Sequence, residues 1–364
     1  MASPGITQRG DGRWMGSLQL HGKRKHVYGK TAQEVKAKLK TLYQQVAMTG
    51  VLPSPGSRTV NDLLDAWLEN CRASLKPRTL AWYEDIARRY IRGSIGPIRL
   101  SKLEPVHIQR LYTQLQDSRT RVASHTHLVL HRALKLAVLW GWLSQNPSDR
   151  LLKPRYRPER KEVWSHQELT AFLEGSEGHP LHPLWITAIA TGCRLGELTG
   201  LKWEDIDLEA RSLTVRRNLQ RIRGQWMEGP PKTRAGERTI TLPPEAVIAL
   251  KRQKAKQAEL RLRAGPDWQD TGRVFTGRLG QPLNPAMAEH GLREQCEKLG
   301  LPHLTPHGMR HLHASLLLEA GLPITAVSQR LGHAHSGITL AVYSHVVKRD
   351  DEEAARLISA ALKR

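Results

Sequence analysis

Apolar residues recur along this chain at two spacings, and the switch between them marks its first elements. In residues 13–20 and 25–28, apolar and polar side chains alternate on either side of His21-Gly22-Lys23. Alternation of period two predicts short strands about a turn. From Thr31, an N-cap candidate with Glu34 three residues on, the apolar positions become Val35, Leu39, Leu42 and Val46. That spacing predicts a helix. Residues 49–58 break the period with Pro, Gly and Ser and read as a linker.

Between Thr59 and Pro147 the periodic positions run Leu63, Leu64, Trp67, Leu68, then Trp82, Ile86, Tyr90, then Ile108, Leu111, Tyr112, then Leu128 to Leu139. They predict four or five amphipathic helices. Residues 148–162 form a second linker in which Lys153, Arg155, Arg157, Arg160 and Lys161 lie among prolines. Beyond Val163 helices mix with a strand pair, 212–215 and 238–242, and the remainder is mainly helical. In the tail, acidic Asp350-Asp-Glu-Glu353 precedes an apolar stripe of Ala354, Leu357, Ile358 and Ala361. The chain therefore reads as mainly α with small β elements and as multidomain: 1–48, 59–147, 163–349 and a tail 350–364. A length of 364 residues agrees with two or three domains.

Charge narrows the partners. The formal net charge is +22, and residues 1–60 carry ten Lys or Arg against Asp11 and Glu34, a local net of +8. A surplus of this size repels itself unless a polyanion faces it, and nucleic acid is the commonest one. Ten Trp against two Phe give the aromatic mass to a side chain that packs and hydrogen-bonds at once, which points to core more than to base stacking. Cys71, Cys193 and Cys296 stand far apart without a CxxC pair, so neither a disulfide framework nor a thiolate zinc site is indicated. No apolar run reaches membrane-spanning length and the N-terminus lacks a secretion signal's apolar segment. The expectation is a soluble intracellular protein of a reducing cytoplasm, not associated with a membrane.

The candidate chemistry lies in the C-terminal half. Thr191-Gly-Cys-Arg194-Leu-Gly-Glu197-Leu, His307-Gly-Met-Arg310-His311, Leu331-Gly-His333 and Tyr343 combine guanidinium groups, imidazoles and a phenol. Arg suits phosphate because its planar fork donates parallel hydrogen bonds and keeps its charge. On a helix, positions 307, 310 and 311 share one face. Glu197, one turn after Arg194, is placed to orient or cap it. His311 joins as a supporting residue, while His313, His335 and His345 read first as structural. A phenol with an ordinary pKa near 10 attacks at neutral pH only with cations or a base nearby, which Arg310, His307 and His333 supply.

These blocks, in this order and spacing, resemble the catalytic signature of the tyrosine recombinases, the phage integrase family. The resemblance implies an N-terminal arm-binding-like domain of β-sheet plus helix, an all-helical core-binding domain and an α+β catalytic domain. It implies that Arg194, Lys232, His307, Arg310 and His333 assist Tyr343 as nucleophile. His307 would help manage the nucleophile's proton, and His333 would donate to the scissile phosphate. Lys232 matches the family's β-hairpin lysine by its place in Gly229-Pro-Pro-Lys232-Thr-Arg-Ala-Gly236, with Arg234 a near neighbour that also fits. The implied product is a 3′-phosphotyrosyl bond and a free 5′-hydroxyl, formed without ATP, metal or other cofactor. The implied partners are double-stranded DNA attachment sites clamped by two domains, a homotetramer on DNA joined through the tail helix unless that helix docks on its own domain, and accessory DNA-bending or directionality proteins.

Three other readings share part of the pattern. His307 and His311 have the i,i+4 spacing of a helical zinc pair, but Glu319 is the only acid from 303 to 345, whereas phosphate-cleaving metal centres use carboxylates. A chromosome- or plasmid-resolving Xer-like recombinase, or a type IB topoisomerase, would share the site, and the extra basic N-terminal segment favours a mobile element's integrase. A non-catalytic DNA-binding regulator on the same fold would need no phenol nucleophile.

Overall fold

The computed structural model describes residues 6–20, 23–49, 58–156, 163–231 and 233–333, with 337, 358 and 359. The linker residues 50–57 and 157–162, Lys232, His335, Tyr343, His345 and nearly all of the tail lie outside them. Two compact units divide the chain, Met1–Glu159 and Arg160–Arg364. Among the described residues no helix is long and apolar enough to cross a membrane. Cys71, Cys193 and Cys296 are free and buried.

The first unit opens with an antiparallel meander of β1 (Ile6–Gln8), β2 (Trp14–Leu20) and β3 (Lys23–Gly29), in which Trp14 stands opposite Gln8 and Gly29. The helix α1 (Ala32–Thr49) follows, and the Thr31 hydroxyl accepts the Glu34 N–H. Val35, Leu39 and Leu42 are buried in a cluster that also holds Leu18 of β2. Helix and sheet approach closely at Gly16, where an added Cβ would stand 2.5 Å from Leu39 Cδ1.

A separate core in the same unit is helical. Here α2 (Val60–Arg72) starts at a reciprocal cap of Thr59 with Asp62, and α3 (Pro77–Ile86) continues into a π-helical turn at Ala87–Ile91. The third helix, α4, runs unbroken over Pro105–Leu139. The expectation of four or five helices in 59–147 is therefore corrected: two apolar stretches assigned to different helices belong to one. Residues 113–124 between them are mostly polar but contain neither Pro nor Gly, so nothing there ends a helix. Leu63, Leu64, Ile91, Ile108, Leu130 and Leu134 close the core, each contributing roughly 1.5–3 kcal/mol by leaving water. Tyr112 is buried against His127 Nδ1 at 2.9 Å, and burial raises its phenol pKa.

The second unit holds the motifs singled out above. Its helices are α5 (His166–Gly175), α6 (His182–Thr191), α7 (Leu195–Gly200), α8 (Pro244–Ala264), α9 (Pro285–Lys298), α10 (Pro306–Glu319) and α11 (Ile324–Leu331). Its strands are β4 (Ile206–Asp207), β5 (Ser212–Val215), β6 (Asn218–Ile222), β7 (Gln225–Gly229) and β8 (Arg238–Thr241). The expected strand pair forms, with Leu213 opposite Ile240, and β4 extends it to a sheet of order β4-β5-β8. Trp164, Trp185 and Trp67 are buried, as expected of core tryptophans.

The hairpin β6-β7 is an element that the apolar pattern did not announce. Arg223 and Gly224 at its tip both have positive φ, 49° and 83°. A two-residue hairpin turn demands this, and Asn-Gly is its usual signature. Arg-Gly conceals it. After this hairpin the described residues run through a 3-10 turn at Arg234–Gly236 into β8, a strand of the other sheet.

Candidate active site

Helix ends build the site. α6 stops at Gly192, whose left-handed φ of 63° lets its N–H bond Ala188 O while the chain turns outward. An added Cβ there would lie 2.6 Å from the His313 ring. Two residues later Arg194 caps α7 in an extended conformation, and Glu197 reaches back to it. The Arg194 backbone N–H donates to Glu197 Oε2 at 3.0 Å and its Nη1 to Oε1 at 2.7 Å. One carboxylate thus fixes both the main chain and the side chain of the arginine, whose side chain remains 31% exposed.

Glu197 is itself buried, and its Oε2 also accepts from Arg238 Nη2 at 3.1 Å. Burial pushes the carboxyl pKa up, but the Arg238 charge, the Arg194 N–H and the Arg194 guanidinium outweigh it and hold the pKa below the ordinary value. The carboxylate is therefore a permanent anion at neutral pH.

The second cation comes from α10, which starts at the Thr305 hydroxyl accepting the Gly308 N–H at 3.0 Å. Arg310 is 2% exposed. Its Nη1 donates to Gly192 O and its Nη2 to Leu331 O, both at 2.7 Å. Both carbonyls lie at helix C-termini, where a cation is favoured. Each terminal nitrogen gives one N–H to the main chain, since a buried guanidinium needs acceptors, and carries a second N–H besides. Burial, then repulsion from Arg194, lowers the Arg310 pKa to about 10, which leaves it charged at neutral pH.

His333 follows Gly332, which ends α11 with a φ of 68°. Burial, then Arg310, Arg194, Arg238 and His307 in turn, pushes its pKa down to about 4. It is thus a neutral imidazole at physiological pH, able to donate one N–H without carrying charge. His307, which is exposed, meets His311 edge to face with ring centroids 4.5 Å apart.

The structure brings Arg194, Glu197, Arg310 and His333 into one charged cluster, with His307 in electrostatic reach of His333. Lys232 and Tyr343 lie outside the described residues. Three guanidiniums (Arg194, Arg238, Arg310) against one carboxylate (Glu197) leave two positive charges uncompensated. Such a surplus favours an anion.

Two residues of this region, Arg238 and Arg330, escaped the sequence reading. Arg238 registered only as the start of a strand. His313, read as structural, donates Nδ1–H to Ile189 O at 2.7 Å, and its Nε2 accepts from Arg330 Nε at 3.3 Å. Arg330 also reaches Ala190 O and Thr241 O. Their partners come from segments far apart in sequence, so no local pattern could mark them.

Residues 165–349 match the family described as Phage integrase family, and residues 59–116 match the phage integrase N-terminal SAM-like domain. The chain is 32% identical to a XerC-like tyrosine recombinase of Caldanaerobacter subterraneus, covering 92% of this chain and 91% of that protein. The chain belongs to the phage integrase family. It is accordingly a site-specific recombinase, an enzyme that cuts and rejoins DNA strands. A Streptomyces ambofaciens integrase is 27% identical over 98% of this chain and 97% of its own length. The integrase fold extends to solved structures: a fragment of the Tn1549 transposon integrase with transposon right-end DNA (TM-score 0.70, 21% identity, 84% of this chain and 100% of that one). A lambda integrase dimer on a COC' core site gives a TM-score of 0.60 at 17% identity, covering 94% of each chain.

The buried histidine of this integrase sets a pH dependence. Burial, then Arg330, lowers the His313 pKa to about 4 against 6.5 for a free imidazole, and Ile189 O only partly offsets this. Arg310 and Arg238 act in the same direction. Between those two values the unfolded chain binds a proton that the folded one refuses, so stability is whole above about 6.5 and declines as the pH falls toward 4. Urea unfolding should show the catalytic unit less stable at pH 5 than at pH 7 by on the order of 2 kcal/mol. His313→Gln should remove the part of that difference due to His313 and leave the part due to His333, whose pKa is lowered likewise; an equal pH dependence in the variant would contradict the assignment.

Proposed function

We propose that this chain integrates or excises a mobile element's DNA by cutting one strand at a time with Tyr343. The surplus of positive charge around the Arg194–Glu197 clamp supports the reading most directly, because phosphodiester cleavage accumulates negative charge on the non-bridging oxygens. Arg194 offers those oxygens the donors that Glu197 does not occupy. Arg310 adds charge from behind while holding the ends of α6 and α11 together. His333, neutral, donates an N–H to a phosphate oxygen, and His307 helps to accept the phenol proton.

The Tyr343 oxygen forms a bond to phosphorus as the bond to the 5′ oxygen breaks, which leaves a 3′-phosphotyrosyl ester. Lys232 supplies the proton that the leaving 5′ oxygen takes up. A 5′-hydroxyl attacking the ester reverses each step, so the energy of the broken bond is conserved. No cofactor enters this scheme. The partner is double-stranded DNA at attachment sites, bound by a homotetramer with the tail, 350–364, joining protomers; lambda integrase has been solved as a tetramer on a Holliday junction.

Two observations favour a mobile element over chromosome resolution. The basic unit of β1–β3 and α1 is a candidate arm-type DNA-binding domain, 1–48, ahead of the helical core-binding domain, 59–147. The Streptomyces ambofaciens integrase aligns through this front segment as well, over 98% of the chain.

Replacing Tyr343 by Phe removes only the nucleophilic oxygen, so covalent attachment to a nicked suicide substrate should vanish on a denaturing gel while DNA affinity stays near that of the parent. A surviving adduct would place the nucleophile elsewhere. Arg194→Ala should slow cleavage roughly a hundredfold or more, with a smaller loss of binding, as for removal of one charge-stabilising donor. EDTA should leave the parental rate unchanged; loss of cleavage in chelator, restored by magnesium, would sink the metal-free scheme. Deleting residues 1–58 should spare cleavage of a short core site and impair integration on long DNA, and unimpaired integration would remove the arm-binding assignment.

A further inference from the structure

Arg238 is almost buried, its side chain 7% exposed, and every nitrogen of its guanidinium is engaged. Nε donates to Arg330 O at 2.7 Å, Nη1 to Gly236 O at 2.9 Å, and Nη2 to Glu197 Oε2 at 3.1 Å, with Cys193 Sγ at 3.7 Å from the same nitrogen. The acceptors belong to separate segments with separate tasks. Glu197 holds Arg194. Arg330 O lies one residue before the Leu331 carbonyl gripped by Arg310, and three before His333. Gly236 closes the turn after position 232, its N–H bonding Thr233 O at 2.9 Å.

The turn and the end of α11 are also in direct contact. A Cβ added at Gly332 would stand 2.8 Å from Ala235 O and 3.1 Å from Arg238 Nη1, so this approach depends on glycine. Arg194 does not need Arg238 to stay in place, because two bonds from Glu197 already fix it. The turn at 234–236 has a different dependence: its link to Glu197 runs through Arg238, which also bonds the last turn of α11 beside the direct contact at Gly332.

We infer that Arg238 is a positioning residue that docks the turn following position 232 onto the arginine clamp, and thereby times delivery of the leaving group's proton. The inference rests on the reading of this site as a phosphodiester-cleaving centre. A planar fork is essential to the role. It reaches three oxygen acceptors in different directions at once, whereas a lysine ammonium in the same place keeps the charge beside Glu197 but cannot span to Gly236 O and Arg330 O together.

That distinction supplies the test. Full-length Arg238→Lys is compared with the parent on two nicked suicide duplexes, one ordinary and one with sulfur replacing the bridging 5′ oxygen at the scissile phosphate. A sulfur leaving group departs as a thiolate and needs no proton, so a defect in proton delivery disappears on it, while a damaged clamp shows on both. The expected result is adduct formation at least tenfold slower than the parent on ordinary DNA and within threefold of it on the sulfur substrate. DNA affinity should stay within threefold of the parent. Arg238→Gln, which also lacks the fork, should show the same rescue from a slower start. Parental cleavage of ordinary DNA by Arg238→Lys, or an equal loss on both substrates in both variants, overturns the inference. Adduct formation by the parent on the same gels reports separately on the function reading.

Discussion

One buried carboxylate organises the catalytic unit. Three guanidiniums crowd into a space where their mutual repulsion is only weakly screened, and Glu197 is the anion that makes their company tolerable. A charge taken out of water needs both a counter-charge and hydrogen bonds to survive. Glu197 has both, from Arg238, the Arg194 side chain and the Arg194 main chain. The compensation is incomplete, and that incompleteness is the functional point: the site stays positive and carries fixed donors before any phosphate arrives. Donors held in advance need no reorganisation as charge develops, and this is the largest single contribution in many enzymes.

The fold serves this constraint with helix ends. α6 and α11 both stop at left-handed glycines, Gly192 and Gly332, and each leaves a carbonyl for Arg310 to brace. Side chains larger than hydrogen would collide at either glycine, with His313 at the first and with the 235–238 segment at the second. Helix termination, close packing and cation placement are thus one requirement. Removing Arg310 would strand two main-chain carbonyls as well as a charge, so its substitution mixes stability with catalysis. Arg194, one third exposed and held by side-chain bonds, separates them better.

Much of this was legible in the sequence because the relevant signals were local. Thr31 three residues before Glu34 and Arg194 three residues before Glu197 are spacings within one turn of helix, and the structure bonds each pair accordingly. The strands at 212–215 and 238–241 were visible for the same reason. What stayed hidden was non-local or chemically disguised. Arg238 acquires its meaning only when residues 193, 197, 236 and 330 converge on it. The hairpin at Arg223-Gly224 lacked the asparagine that usually announces such a turn. The long helix α4 was cut into pieces because a polar stretch looks like a boundary when only apolar periodicity is followed, although no residue in it breaks a helix. The resemblance of the motif blocks to the phage integrases carried the chemistry further than periodicity did, since a phenol among apolar residues is otherwise read as core.

The central claim is that the positive cluster around Glu197 serves a tyrosine that becomes joined to DNA. Digesting the covalent protein–DNA complex with trypsin and nuclease, then sequencing the modified peptide by mass spectrometry, tests it most directly. The expected product is a nucleotide attached through its 3′ phosphate to Tyr343. A nucleotide on another side chain, or one attached through its 5′ phosphate, would contradict it.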